Sequence, residues 1–159
     1  MSNLHHLAAQ AVENAIAAGR TVATAESLTA GMLAAVLADT PGASGMLQGG
    51  VVAYQNAVKE TLLGVSGELL AGAGSVDPDV AAAMAAGVRE SLRADIGIST
   101  TGVAGPEEHD GKPVGRVYVG VATASGSVAF EYSFTGSRAD IRGQACAAAL
   151  ERLLEALAG

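Results

Sequence analysis

A chain of 159 residues, half of them hydrophobic, 3% aromatic and without tryptophan, is long enough for one domain whose core consists of small, closely packed aliphatic layers. Its net charge of −7 excludes a broad basic face for nucleic acid, and its single cysteine, Cys146, excludes an internal disulfide. No apolar run approaches the ~20 residues of a membrane span, and the first residues lack the basic, apolar and small-residue regions of a signal peptide, so a cytoplasmic protein with no membrane partner is expected.

Leu4, Leu7, Ala8, Ala11, Val12 and Ala15 recur at helical spacing, and Gly19 closes the pattern, which predicts an amphipathic first helix. Thr21 to Ala25 reads as a strand. Leu28 to Ala38 reads as a buried helix stopped at Pro41-Gly42, and Gly50 to Tyr54 as the next strand. Strand, helix and strand in this length form a crossover unit, which places the two strands in parallel. Val58 to Leu63 predicts a short helix, followed by a glycine-rich link through Gly74.

Asp77-Pro78 then starts a helix with an aspartate cap and proline in the first turn, and Val80, Met84, Val88 and Leu92 form its buried stripe. Ile96 to Thr100 is a third strand, running into the small-residue loop Thr101 to Pro106. Val117–Ala122 and Val128–Phe134 are joined too briefly for a crossover and form an antiparallel hairpin, its second strand an edge strand. A long helix spans Ala139 to Ala158. The expected fold is α/β: one domain over 1–159, a three-layer α/β/α sandwich with a mixed, mostly parallel sheet, ending in a β-hairpin and a long helix.

In such sheets ligands bind outside the carboxyl ends of the strands. Three ends can be named: Glu26-Ser27, Tyr54 to Lys59, and Thr101 to Gly105. Ser27 reads either as the N-cap of the following helix or as a nucleophile beside free helix N–H groups. Lys59 is either a solvated surface charge or, if burial lowers its pKa, a base. Tyr54 can pack at a strand end with its hydroxyl in water, and Asn56 can be turn chemistry. What sets these residues apart is joint placement: a hydroxyl, a phenol and an amine at one sheet edge are the parts of a serine nucleophile activated by lysine.

The Thr101–Pro106 loop is a tight turn or a nest of N–H donors. Glu107 to Lys112 reads as a surface loop or a lid. Arg138 and Arg142, four apart, can hold a phosphate or pair with Asp140 or Glu131. His5, His6, His109 and Cys146 lack metal-ligand spacing, so no metal is expected.

Four ordered segments, Ala25-Glu26-Ser27-Leu28-Thr29-Ala30-Gly31, Gly49 through Lys59, Thr101 through Pro106 and Lys112-Pro113-Val114-Gly115, together with Phe134 through Arg138 and Ile141-Arg142, resemble the CinA C-terminal domain family, the nicotinamide-nucleotide amidohydrolases. The resemblance runs over nearly the whole chain. It implies hydrolysis of the carboxamide of nicotinamide mononucleotide to nicotinate mononucleotide and ammonia, with Ser27, Lys59 and Tyr54 as the catalytic constellation. It also implies a homo-oligomer and no cofactor. Candidate substrate-binding or oxyanion positions are Glu26, Thr29, Gly31, Asn56, Thr101, Gly102, Gly105, Arg138 and Arg142. The chain departs from the family pattern at Leu28 and Ala30, where the family has cysteine and glycine, and at Glu107-Glu108-His109-Asp110, where the family loop is glycine-rich. The alternatives are a serine amidase for another small amide, and a non-catalytic nucleotide-binding or competence-associated interaction domain.

Overall fold

A computed structural model describes residues 2–159. Its elements are α1 (Ser2–Ala18), β1 (Val22–Glu26), α2 (Met32–Ala38), β2 (Leu47–Val52), α3 (Asn56–Leu63), α4 (Gly67–Ala73), α5 (Pro78–Ser91), β3 (Ile96–Gly102), β4 (Arg116–Thr123), β5 (Gly126–Ser133) and α6 (Arg138–Ala158). The five strands form one sheet in the order β2-β1-β3-β4-β5. β1 pairs in parallel with both β2 and β3, whereas β4 runs against its neighbours β3 and β5.

The period of two along each strand sends alternate side chains to two helical layers. Val22, Ile96, Ile98, Val119 and Val121 meet α1, α2 and α6 on one face. Ala23 and Ala25 meet α3, α4 and α5 on the other, against Leu63, Leu70, Val80, Met84 and Val88. The α/β/α sandwich follows. Small residues let the layers close: a Cβ added to Gly97 would lie 2.1 Å from the Ala85 carbonyl oxygen of α5, and one added to Gly120 would lie 2.2 Å from that of Ala81. This close approach of helix to sheet accounts for a core with few aromatics.

The caps of the later helices follow the sequence. Asp77 accepts hydrogen bonds from the Asp79 and Val80 amides with Pro78 in the first turn, and Ser137 with Asp140 forms a capping box that opens α6. Three expectations are corrected. α2 begins at Met32, not Leu28, because Ala30 (φ 48°) and Gly31 (φ 99°) are left-handed and a right-handed helix cannot run through them. β2 covers Leu47–Val52 rather than Gly50–Tyr54, since its partner β1 offers a ladder from Val22 to Glu26. The link to Gly74 contains α4, capped by Ser66, which accepts from the Leu69 amide. Among the described residues no helix is long and apolar enough to cross a membrane.

Candidate active site

β1 is the middle strand of the parallel trio, so the residue that follows it is flanked by the ends of β2 and β3. That residue is Ser27. Its amide donates to the Thr100 carbonyl at 3.0 Å, and the Glu26 carbonyl accepts from the Ala53 amide at 2.8 Å, which ties the three strand ends together. Beyond β2 the chain turns at Ala53-Tyr54 and enters α3, whose Lys59 points back under the turn.

Lys59 is fully buried. Its Nζ lies 3.1 Å from Ser27 Oγ, 2.8 Å from the Ala53 carbonyl oxygen and 3.1 Å from that of Tyr54. Neither a carboxylate nor any other anion is among these partners, and burial pulls the lysine down to about 8. All three oxygens accept from Nζ, matching the three N–H donors of the protonated amine; once it loses a proton, two N–H groups keep the carbonyls and the lone pair takes the place of the third beside the Ser27 hydroxyl. The surface-charge reading of Lys59 is therefore replaced by a buried amine held against a serine.

The turn that carries Ser27 is held by two charged side chains. The carboxylate of Glu26, 1% exposed, accepts from Thr29 Oγ1 at 2.6 Å and from the Leu33 and Ala34 amides at 2.8 and 3.1 Å. It thus does the capping that was one of the two readings of Ser27, and it meets the positive end of α2. Thr29 is completely buried, its hydroxyl shared with Thr100 at 2.8 Å. From the other side Arg142 donates to the Leu28 and Thr29 carbonyls at 2.8 and 3.1 Å. Ser27 is left free of any capping duty. The Leu28 and Thr29 amides, next along the chain, have no hydrogen-bond acceptor among the described residues.

A pocket of about 640 Å³ opens over Ser27. Its walls are Leu28; Tyr54, Gln55 and Asn56 from the end of β2; Gly102 to Pro106 from the end of β3; and Arg138 from the start of α6. Arg138 crosses between these walls, donating to the Tyr54 hydroxyl at 2.9 Å and to the Gly105 carbonyl. The Tyr54 phenol is half exposed and bonded to Arg138, not to Ser27 or Lys59; what Tyr54 gives the lysine is its carbonyl oxygen. Thr101 is absent from the pocket lining, its buried hydroxyl donating to the Ser75 carbonyl at 2.6 Å. Gly31 supplies the left-handed entry into α2. Arg138 and Arg142 therefore part company: the first borders the pocket, the second is consumed by the Ser27 turn, and neither pairs with Asp140 or Glu131.

The loop read from sequence as surface or lid forms a further wall, together with Ser75, which sequence reasoning did not single out. Ser75, Glu107, Glu108 and His109 also line the pocket. The loop is fastened rather than loose, with Asp110 accepting from the Ser75 amide at 3.2 Å and Lys112 donating to the Val76 carbonyl at 3.1 Å. The sequence signal was present in the run of charge after Pro106, but only the fold shows which cavity it borders. Among the described residues no cluster of histidine, cysteine or carboxylate is arranged to hold a metal. Cys146 is buried, and burial, with the charge of Glu26 second, pushes its thiol up to about 12, which removes it as a nucleophile.

With that geometry in place, comparison with known proteins is specific. The family described as the CinA C-terminal domain matches residues 4–157. A putative competence-damage inducible protein of Bacillus pumilus is 48% identical over 139 residues, covering 87% of this chain and 33% of that protein. A CinA-like protein of Frankia casuarinae is 48% identical, with 87% and 32% covered. The chain thus spans about one third of the length of these relatives. Among solved structures, a CinA superfamily protein of Klebsiella pneumoniae superposes with a TM-score of 0.94 at 33% identity, covering 98% of each chain. The competence/damage inducible protein CihA of Agrobacterium tumefaciens superposes with a TM-score of 0.93 at 33% identity, covering 99% and 96%. The α/β/α sandwich, the ordered motifs and these matches agree, and the chain belongs to the CinA C-terminal domain family.

Proposed function

We propose that this domain hydrolyses the carboxamide of nicotinamide mononucleotide, giving nicotinate mononucleotide and ammonia, with Ser27 as nucleophile. The observation that carries the reading is the 3.1 Å contact between Ser27 Oγ and the buried Nζ of Lys59. A lysine pulled down to about 8 by burial is an effective base close to neutral pH. Lys59 takes the Oγ proton as Oγ bonds to the carboxamide carbon, and the carbonyl π pair moves to oxygen. The Leu28 and Thr29 amides, at the same turn, are the donors available to that oxyanion. The oxyanion then collapses, Lys59 returns the proton to the departing amine, and ammonia leaves. Water, deprotonated by the same amine, cleaves the acyl-serine to the acid.

Arg138 is the cation for the phosphate, and the Tyr54 phenol, fixed to Arg138, forms part of the same wall rather than a proton relay. A second reading rests on Glu107 and Glu108 in the pocket lining: two carboxylates favour a small amide without a phosphate. Ammonia release from the nucleotide and from the corresponding nucleoside separates the two. The first reading expects the nucleotide to be preferred and Arg138→Ala to raise its KM ten- to a hundred-fold, about the worth of a charge-assisted hydrogen bond, with the nucleoside unaffected. Equal turnover of both, untouched by Arg138→Ala, assigns the pocket to the unphosphorylated amide.

The pH dependence follows from Lys59. Because the free enzyme must carry this amine neutral, kcat/KM is expected to rise tenfold per pH unit below about 8 and to level off above it. A profile flat from pH 6 to 9 would remove Lys59 as the base.

A further inference from the structure

We propose that Arg142 is a positioning residue for the oxyanion donors. This rests on the reading of Ser27 as a nucleophile, and concerns how the turn beside it is held. Arg142 Nε donates to the Leu28 carbonyl and Nη2 to the Thr29 carbonyl, two consecutive peptide oxygens immediately after Ser27. A trans peptide places its C=O and N–H on opposite sides. The guanidinium that holds the Leu28 carbonyl therefore directs the N–H of the same peptide, that of Thr29, away from itself.

The next peptide is settled independently, since the Ala30 amide donates to the Ser27 carbonyl at 3.1 Å. The Leu28 and Thr29 amides remain without an acceptor among the described residues, as does the Gly31 amide farther along the turn. Two adjacent unpaired amides beside a serine hydroxyl are the arrangement that binds a developing oxyanion.

A simple backbone clamp would not require an arginine. The planar fork reaches two carbonyls at once, whereas an ammonium is a single point of attachment. Its charge also withdraws electron density through both carbonyls and makes the amide of the clamped peptide a better donor. Glu26 holds the same turn through Thr29 Oγ1 and the start of α2 without touching the Leu28 carbonyl. Removing Arg142 therefore loosens the Leu28–Thr29 peptide while the rest of the turn stays anchored.

The test uses a fluorophosphonate probe, so that it does not depend on which amide is the natural substrate. Ser27 Oγ displaces fluoride from phosphorus, Lys59 takes the proton, and the phosphoryl oxygen occupies the oxyanion site. Labelling is followed by intact mass at pH 9 for the wild type, Ser27→Ala, Arg142→Lys and Arg142→Ala, each with its thermal melt. The expected result is labelling of the wild type at Ser27 alone, with Arg142→Ala slowed at least about tenfold and Arg142→Lys falling between. Outright loss of an oxyanion donor sets the upper scale of roughly 10²–10³. Wild-type labelling rates in a folded Arg142→Ala, or slowing of both variants only in proportion to lost folded protein, overturns the positioning role. No labelling of the wild type overturns the nucleophile reading beneath it.

Discussion

Ser27→Ala is expected to lower ammonia release from nicotinamide mononucleotide by at least about 10³-fold while changing unfolding free energy by less than about 1 kcal/mol. The two effects separate because the serine side chain has one hydrogen-bond partner, Lys59, and no capping role. Its loss removes one of three acceptors and leaves Lys59 bonded to the Ala53 and Tyr54 carbonyls. The Glu26 carboxylate and Arg142 keep the turn in place. Ammonia assay beside a chemical melt checks both halves. A variant of undiminished rate would move the nucleophile elsewhere; a variant that loses several kcal/mol would show Ser27 to be structural.

Lys59→Met should cost a similar factor in rate and, unusually for an active-site change, add stability near neutral pH. The folded lysine titrates near 8 and the unfolded one near 10.5. Below pH 8 both states are protonated, and the folded state carries the cost of a buried ammonium, on the order of 3 kcal/mol. Between about 8 and 10.5 the unfolded state binds more protons, so wild-type stability rises with pH; above that window the cost is gone. Methionine fills the same apolar volume without charge, though it leaves two carbonyls without their donor. The variant's advantage over wild type should therefore be greatest at pH 7 and shrink as pH rises through the window. Denaturant midpoints at pH 7, 8.5 and 10 measure it. A difference that stays constant with pH would mean that Lys59 titrates alike in both states.

Periodicity and turn chemistry carried most of the fold. The crossover from β1 to β2, the Asp77-Pro78 start of α5 and the hairpin of β4 and β5 are local signals, and they survive because packing agrees with them. What failed was the start of α2. Serine is so common a cap that a helix starting at Leu28, directly after Ser27, is the natural reading, yet the left-handed Ala30-Gly31 step delays it to Met32, and a buried glutamate from the preceding strand does the capping. Local propensity cannot show a carboxylate reaching forward over seven residues.

The site was legible as a list and less so as an arrangement. Ser27 and Lys59 meet as expected from the parallel pairing of β1 and β2. Tyr54 follows the same strand, but its side chain turns outward to Arg138, a residue 84 positions away, and no spacing argument could have found that bond. Glu26, Thr29, Thr101 and Arg142 carried the right chemical groups for ligand binding and are instead spent on the backbone that shapes the turn and the β3 end. Leu28, where the resemblance leads one to expect cysteine, is buried against Ala104, Val117 and Ile141 while also lining the pocket. A larger side chain there helps to shape the floor of the pocket beside Ser27.

Everything in the proposed chemistry depends on Lys59 being neutral at working pH, and the chain makes that directly measurable. It has only two lysines, Lys59 and Lys112. Carbon NMR of protein labelled at lysine Cε, titrated from pH 6 to 12, with Lys59 identified by the signal missing from Lys59→Met, should show that resonance moving with a midpoint near 8. A midpoint at the ordinary value of 10.5 would leave Lys59 an ammonium beside Ser27, unable to take its proton.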